Sequence, residues 1–154
     1  MHSALRHDNT KPRAKGFTLI EMLVVLAIVG VLAAVSYPSY VEHVQRAHRA
    51  DAQAALMDAA FFMQRHYAAH HRYDTGDVDA PLVTLPAPLT QSPRQGMPRY
   101  QISVTQADAG SYTLSATPVP SSALSSDPCG KLTLNQHHLK GVTGATTSVA
   151  QCWR

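Results

Sequence analysis

GFTLIEMLVVLAIVGVLAAVSYP, from Gly16 to Pro38, is the stretch on which the reading of the whole chain turns. From Phe17 to Tyr37 it carries 21 residues and one charged side chain, Glu21. At 1.5 Å per residue a helix of that length just crosses the roughly 30 Å hydrocarbon core of a bilayer. A carboxylate in the middle of such a span costs roughly 2.5–3.5 kcal/mol, so one retained near its start is read as functional. Arg6, Lys11, Arg13 and Lys15 precede the run with Asp8 as the sole opposing charge. The positive-inside rule then leaves the N-terminus in the cytoplasm and sends the remainder across. Two rivals exist for this segment. A secretory signal would be cut at the small-x-small site Ala34-Val35-Ser36, and a plain anchor would not be cut at all. The run is longer than an ordinary signal core, and a Glu at its start has no use in a peptide that is discarded.

Outward from that segment the charge evens out. The chain has 154 residues and a formal charge of +3, and the segment before Phe17 accounts for all of the excess. Residues 17–154 retain nine of the thirteen Lys or Arg and nine of the ten Asp or Glu, which argues against a polyanion-binding protein. The length allows one domain plus an anchor.

Beyond Pro38 a helical period continues to about Arg72, with Ala52, Leu56, Ala59, Met63 and Tyr67 on one face. Pro38 lacks an amide donor and Gly30 has low helix propensity, so residues 30–38 are expected to bend or loosen the helix. The pattern stops at Tyr73-Asp74-Thr75-Gly76-Asp77, and five prolines follow in residues 81–98. Tyr100, Ile102 and Val104, then Tyr112, Leu114 and Ala116, alternate with polar residues around Asp108-Ala109-Gly110. This reads as a hairpin. Leu132 and Leu134 mark a third strand, and the tail to Trp153 has no clear period. The expected class is α+β, with a small antiparallel sheet on the apolar face of the helix.

Cys129 and Cys152 are the two cysteines. In an exported chain they read as a disulfide closing a loop of about two dozen residues, for which chain entropy gives roughly 3 kcal/mol. Two reduced thiols are the alternative. His66, His70 and His71 have helical spacing, but no third ligand is fixed, so they read as solvated side chains, as do His137 and His138. Asp74, Asp77 and Asp79 lack the order of a calcium loop and read as an acidic helix exit. No metal and no cofactor are expected. The chain has no Gly-x-Ser-x-Gly elbow and no phosphate-cradling glycine loop, so no catalytic residue is assigned. Arg94, Arg99, Lys131, Lys140 and Arg154 give the second half a local positive excess. Loop charges explain it as well as DNA contacts do, and nucleic acid is not an expected partner.

The run Gly16-Phe17-Thr18-Leu19-Ile20-Glu21 before a membrane-length apolar helix resembles the class III signal of the type IV pilin family. Cys129-Gly130-Lys131-Leu132-Thr133-Leu134 and the ending Cys152-Trp153-Arg154 resemble its minor pilins of the PilE type. The resemblance implies cleavage by a prepilin peptidase between Gly16 and Phe17 and N-methylation of Phe17. It implies a type IV pilin fold, a long bent N-terminal helix packed on an antiparallel sheet with a disulfide-bounded C-terminal region. Residues 1–16 would be the leader, 17–38 the span, 39–72 the amphipathic helix, 73–98 the αβ-loop and 99–154 the sheet and D-region. Other pilins would be the partners, with the inner membrane as the site before assembly and a cell-surface pilus afterwards. The new amine at Phe17, four residues before Glu21, would share its helical face and pair with the carboxylate within or between subunits. A pseudopilin of a type II secretion system and a DNA-receptor pilin are the alternatives within the same architecture.

Overall fold

The computed structural model describes residues 16–122, 124–125 and 127–154. The basic segment ahead of Gly16, expected to be a leader, lies outside them. Contacts divide the chain into two units, one ending at Ser39 and the other covering Tyr40–Arg154. One helix, α1 (Leu19–His70), contributes to both.

Among the described residues the first unit is helical from Leu19 onward. Its assignment continues without a break through Gly30 and Pro38, although Pro38 leaves the carbonyl of Ala34 without its helical donor. Every residue from Gly16 to Ser39 is exposed. The segment is long and apolar enough to cross a membrane.

In the second unit the helix buries Ala52, Ala55, Leu56, Ala59, Ala60 and Met63 against a five-stranded sheet. The strands are β1 (Gln91–Ser92), β2 (Tyr100–Ala107), β3 (Tyr112–Pro118), β4 (Lys131–Asn135) and β5 (Lys140–Thr143). They lie in sequence order, and each pairs antiparallel with the next. Register places Ile102 beside Ala116 and Ala116 beside Leu132, with Val104, Leu114 and Leu134 in the next row. Both rows are buried, so the period-2 side chains of three strands meet the helical stripe. The β2–β3 turn is held by the Asp108 carboxylate, which accepts from the amides of Gly110 and Ser111 at 2.8 and 2.7 Å.

Several expectations need adjusting. The helix ends at His70 rather than Arg72, because His71 takes φ 58° and its amide donates to the Tyr67 carbonyl at 2.7 Å. That is a left-handed C-terminal stop made by a histidine where glycine is usual. Tyr67 leaves the apolar stripe, is 39% exposed, and stacks on Tyr73 with ring centroids 4.6 Å apart. The expected loop contains the short β1, and the tail holds β5 and a short helix, α2 (Val149–Cys152).

Cys129 and Cys152 form a disulfide with Cα atoms 5.5 Å apart, tying the entry of β4 to α2. Gly130 follows with φ +56°, and a Cβ there would stand 2.7 Å from the Thr143 carbonyl oxygen. Only glycine fits this crossing beside the disulfide.

Candidate functional site

At the N-terminus of α1 the side chain of Thr18 accepts from the Glu21 amide at 3.2 Å, and the Glu21 carboxylate accepts from the Thr18 amide at 3.4 Å. This reciprocal pair satisfies two amide donors that a helix start leaves open. An acidic group there also opposes the positive end of the helix dipole. Phe17 and Gly16 sit just outside the first turn, Phe17 74% exposed. The Glu21 carboxylate is thus held by the amide of Thr18, the residue that follows Phe17. Thr18 was not singled out from sequence, although the Thr-x-x-Glu spacing ahead of an apolar run carries the signal.

The C-terminal region of the second unit is fastened at several points besides the disulfide. Gln53 donates to the Cys152 carbonyl at 2.9 Å, and the Trp153 indole donates to the Gly141 carbonyl at 2.9 Å. Lys140 lies 5.4 Å from the Trp153 ring centroid, within cation–π range. Ser148 caps α2, and its carbonyl takes the Cys152 amide at 3.2 Å.

Beneath this region lies a buried charged network. The Arg49 guanidinium donates to Asp127 Oδ1 at 2.7 Å, Tyr100 donates to Asp127 Oδ2 at 3.0 Å, and the Cys129 amide donates to Asp127 Oδ1 at 3.0 Å. The two charged side chains are 8% and 0% exposed. Burial pushes the Tyr100 phenol well above its ordinary value, and the neighbouring Asp127 charge adds to the effect. The network joins α1, β2 and the segment entering the disulfide. Arg49 extends the apolar stripe one step before Ala52, so it reads from sequence as a defect in the period. Its partner is 78 residues away and is not visible there.

The remaining candidates separate. His66 and His70 stack with ring centroids 4.3 Å apart, and each ring makes a contact to a backbone carbonyl, of Asp74 and of His66 respectively. His71 forms the helix stop, His138 contacts Gln64 at 3.1 Å, and His137 is exposed. Asp74 pairs with Arg72, whose hydrogen bonds hold its carboxyl below the usual carboxylate range. The Asp77 side chain accepts from the Asp79 amide at 2.9 Å. Among the described residues no group of three His, Cys, Asp or Glu side chains comes together to hold a metal. Arg94 pairs with Asp58, whereas Arg99 immediately precedes β2 and Lys131 begins β4 at the same end of the sheet.

A helix start built around Glu21, an exposed apolar segment and a disulfide-closed antiparallel domain together define a type IV pilin subunit. The family model for the prokaryotic N-terminal methylation motif matches residues 11–37. That for the type IV minor pilin ComP, DNA uptake sequence receptor, matches residues 38–133, more than half of the chain. The chain belongs to the ComP family of type IV minor pilins. Among solved structures it is similar to the non-core minor pilin PilV of Neisseria meningitidis, at 20% identity and TM-score 0.52, covering 70% of this chain and 94% of that one. A type IV pilin from Shewanella oneidensis is 27% identical with TM-score 0.45, covering 68% of this chain and 98% of that one. No curated protein matches the sequence. The PilV likeness agrees with the pilin fold, and families of this kind are structural subunits that assemble with other pilins.

Proposed function

We propose that this minor pilin is a non-enzymatic subunit whose leader is removed by a prepilin peptidase between Gly16 and Phe17, with methylation of the new Phe17 amine. It waits in the inner membrane through residues 17–38, then enters a filament displayed at the cell surface. The observation that carries this reading is the Thr18–Glu21 box at the head of a fully exposed apolar helix. The box folds the Glu21 carboxylate back onto the Thr18 amide at the helix start, next to the residue whose amine the cleavage would expose. In a filament a subunit entering without a carboxylate paired to that amine would leave a buried charge unmatched. Intact mass of the membrane-extracted protein tests the processing: loss of residues 1–16 with one added methyl is expected. A product beginning at Tyr37 would overturn it in favour of a secretory signal.

A second reading, that the displayed domain takes up DNA, is favoured by the family match over residues 38–133. The near balance of charge in residues 17–154 weighs against it, since phosphate contacts supply most of non-specific affinity. Arg99 and Lys131 at one end of the sheet, with Arg94 on the connection between β1 and β2, are its candidates. Binding of a duplex by the full chain in detergent, across a salt series, decides between the readings. Submicromolar affinity that weakens when Arg94, Arg99 and Lys131 become Ala supports a receptor. Weak binding that the three changes leave alone sinks it.

A further inference from the structure

Two grooves of the second unit adjoin at Gln45, and they differ in character. The first, of about 340 Å³, is lined by Arg46, Arg49 and Arg154, with Thr147, Gln151 and Gln45 as neutral donors. Arg49 is nearly buried and has one nitrogen on Asp127, while a guanidinium carries five N–H donors. Among the described residues neither Arg46 nor Arg154 enters an ion pair. Glu42 also lines this groove. The three guanidinium groups are donors of the kind that pair with a phosphodiester, with Glu42 at the rim and Asp127 behind Arg49 as the acidic groups beside them. The second groove, of about 180 Å³, is apolar and lined by Tyr40, Val41, Val44 and Leu124, with His48 and Arg99 at its edge.

From the pairing of these grooves we infer a binding site for an anionic phospholipid, its phosphate on the arginines and its glycerol and upper chain in the apolar groove. The occupant follows from the position of the site in the sequence. Both grooves use residues that follow the apolar run within about a dozen positions of sequence, and arginine side chains are long enough to place their heads at a membrane surface. Tyr37 and Tyr40, 71% and 68% exposed, stand where aromatic side chains mark a membrane interface. A basic groove alone would suit any phosphate. The adjoining apolar groove is what a phospholipid uses and a nucleic acid backbone does not. The inference rests on the membrane-inserted state proposed above.

Native mass spectrometry of the full-length protein, purified in detergent with phosphatidylglycerol or phosphatidylcholine added, tests it. The wild type is expected to retain one phosphatidylglycerol in preference to phosphatidylcholine. Arg46→Gln and Arg154→Gln should each weaken that retention about fivefold, from the value of one basic side chain at an anionic surface. Val44→Ser should weaken retention of the lipid while sparing any competition by free glycerol phosphate, which separates the two grooves. Arg49 is left unchanged because it holds Asp127, and thermal melting checks that the variants fold. Equal retention of the two lipids, or equal retention by wild type and the double arginine variant, overturns the site. So does a duplex oligonucleotide that binds through these arginines when phosphatidylglycerol does not. Alkaline extraction of cell membranes scores insertion separately, so failure of the membrane reading is distinguishable from failure of the groove.

Discussion

The two units of the chain are stabilised in opposite ways. From Tyr40 onward a helical stripe and three strands enclose one core, with a disulfide and a buried ion pair across it. From Gly16 to Ser39 no side chain is buried, and residues such as Leu19 and Val35 are 81% and 73% exposed. So continuous an apolar surface calls for a membrane or a protein partner. A helix that buries nothing is marginal in water even when it is long. The first unit therefore takes its stability from what surrounds it, and the second contains its own. Substitutions in the first should change where the protein goes, whereas substitutions in the second should change whether it folds.

The largest effect is expected at Glu21. Glu21→Ala removes both the carboxylate for the Phe17 amine and one half of the helix cap, a cap being worth about 1 kcal/mol. Insertion should persist, since the span becomes more apolar. Incorporation should fall about a hundredfold or more, because an unpaired buried amine costs roughly 3–5 kcal/mol. The ratio of subunit in sheared filaments to subunit in membranes measures it. Glu21→Gln keeps a side-chain oxygen for the cap, so its failure isolates the charge. Wild-type ratios for both variants would break the contrast between the units.

Asp127→Ala comes next, in the second unit. It leaves the Arg49 charge buried without its counterion, a loss of roughly 3–5 kcal/mol in the 40–154 fragment by denaturant titration. Arg49→Met combined with Asp127→Leu should recover only part of that, because an apolar pair removes both charges but leaves the Tyr100 hydroxyl and the Cys129 amide without their acceptor. Cys152→Ser should then cost roughly 3 kcal/mol and free the tail, read as lost protection of the Trp153 indole in hydrogen exchange. Protection equal to wild type would mean that Gln53 and Gly141 hold the tail without the disulfide.

Legibility in the sequence followed the same division. The span, its carboxylate and the methylation signal are local patterns, and the family matches agree with that reading. The central hairpin and the fourth strand were equally plain because period-2 alternation needs only neighbouring residues. β5 was not, since Lys140-Gly141-Val142-Thr143 offers one large apolar side chain and its role is to pair with β4 and receive the Trp153 indole. Tyr67 misled for the opposite reason, because the helical period continued while the core did not, and the ring found Tyr73 instead. Arg49 and Asp127 could not be read as a pair at all. Each is an isolated charge until the fold brings them together.

The smallest effect is expected at Tyr112, inside the core of the second unit. Its ring is buried and packs edge-on to Tyr73 with centroids 4.8 Å apart, but its hydroxyl has no hydrogen-bond partner among the described residues. A buried donor left unmade carries a desolvation cost, whereas the ring contact does not depend on the hydroxyl. Tyr112→Phe should therefore be neutral or raise stability by up to about 1 kcal/mol. The pH dependence gives an independent reading. Burial, with the nearby Tyr73 adding to it, pushes the Tyr112 phenol from 10.0 up to about 12. The unfolded chain then loses this proton first, so wild-type stability should fall as pH rises from 10 toward 12, and part of that slope should vanish in the variant. A variant less stable than wild type by more than about 1 kcal/mol would instead mean that the hydroxyl is satisfied by a bridging water.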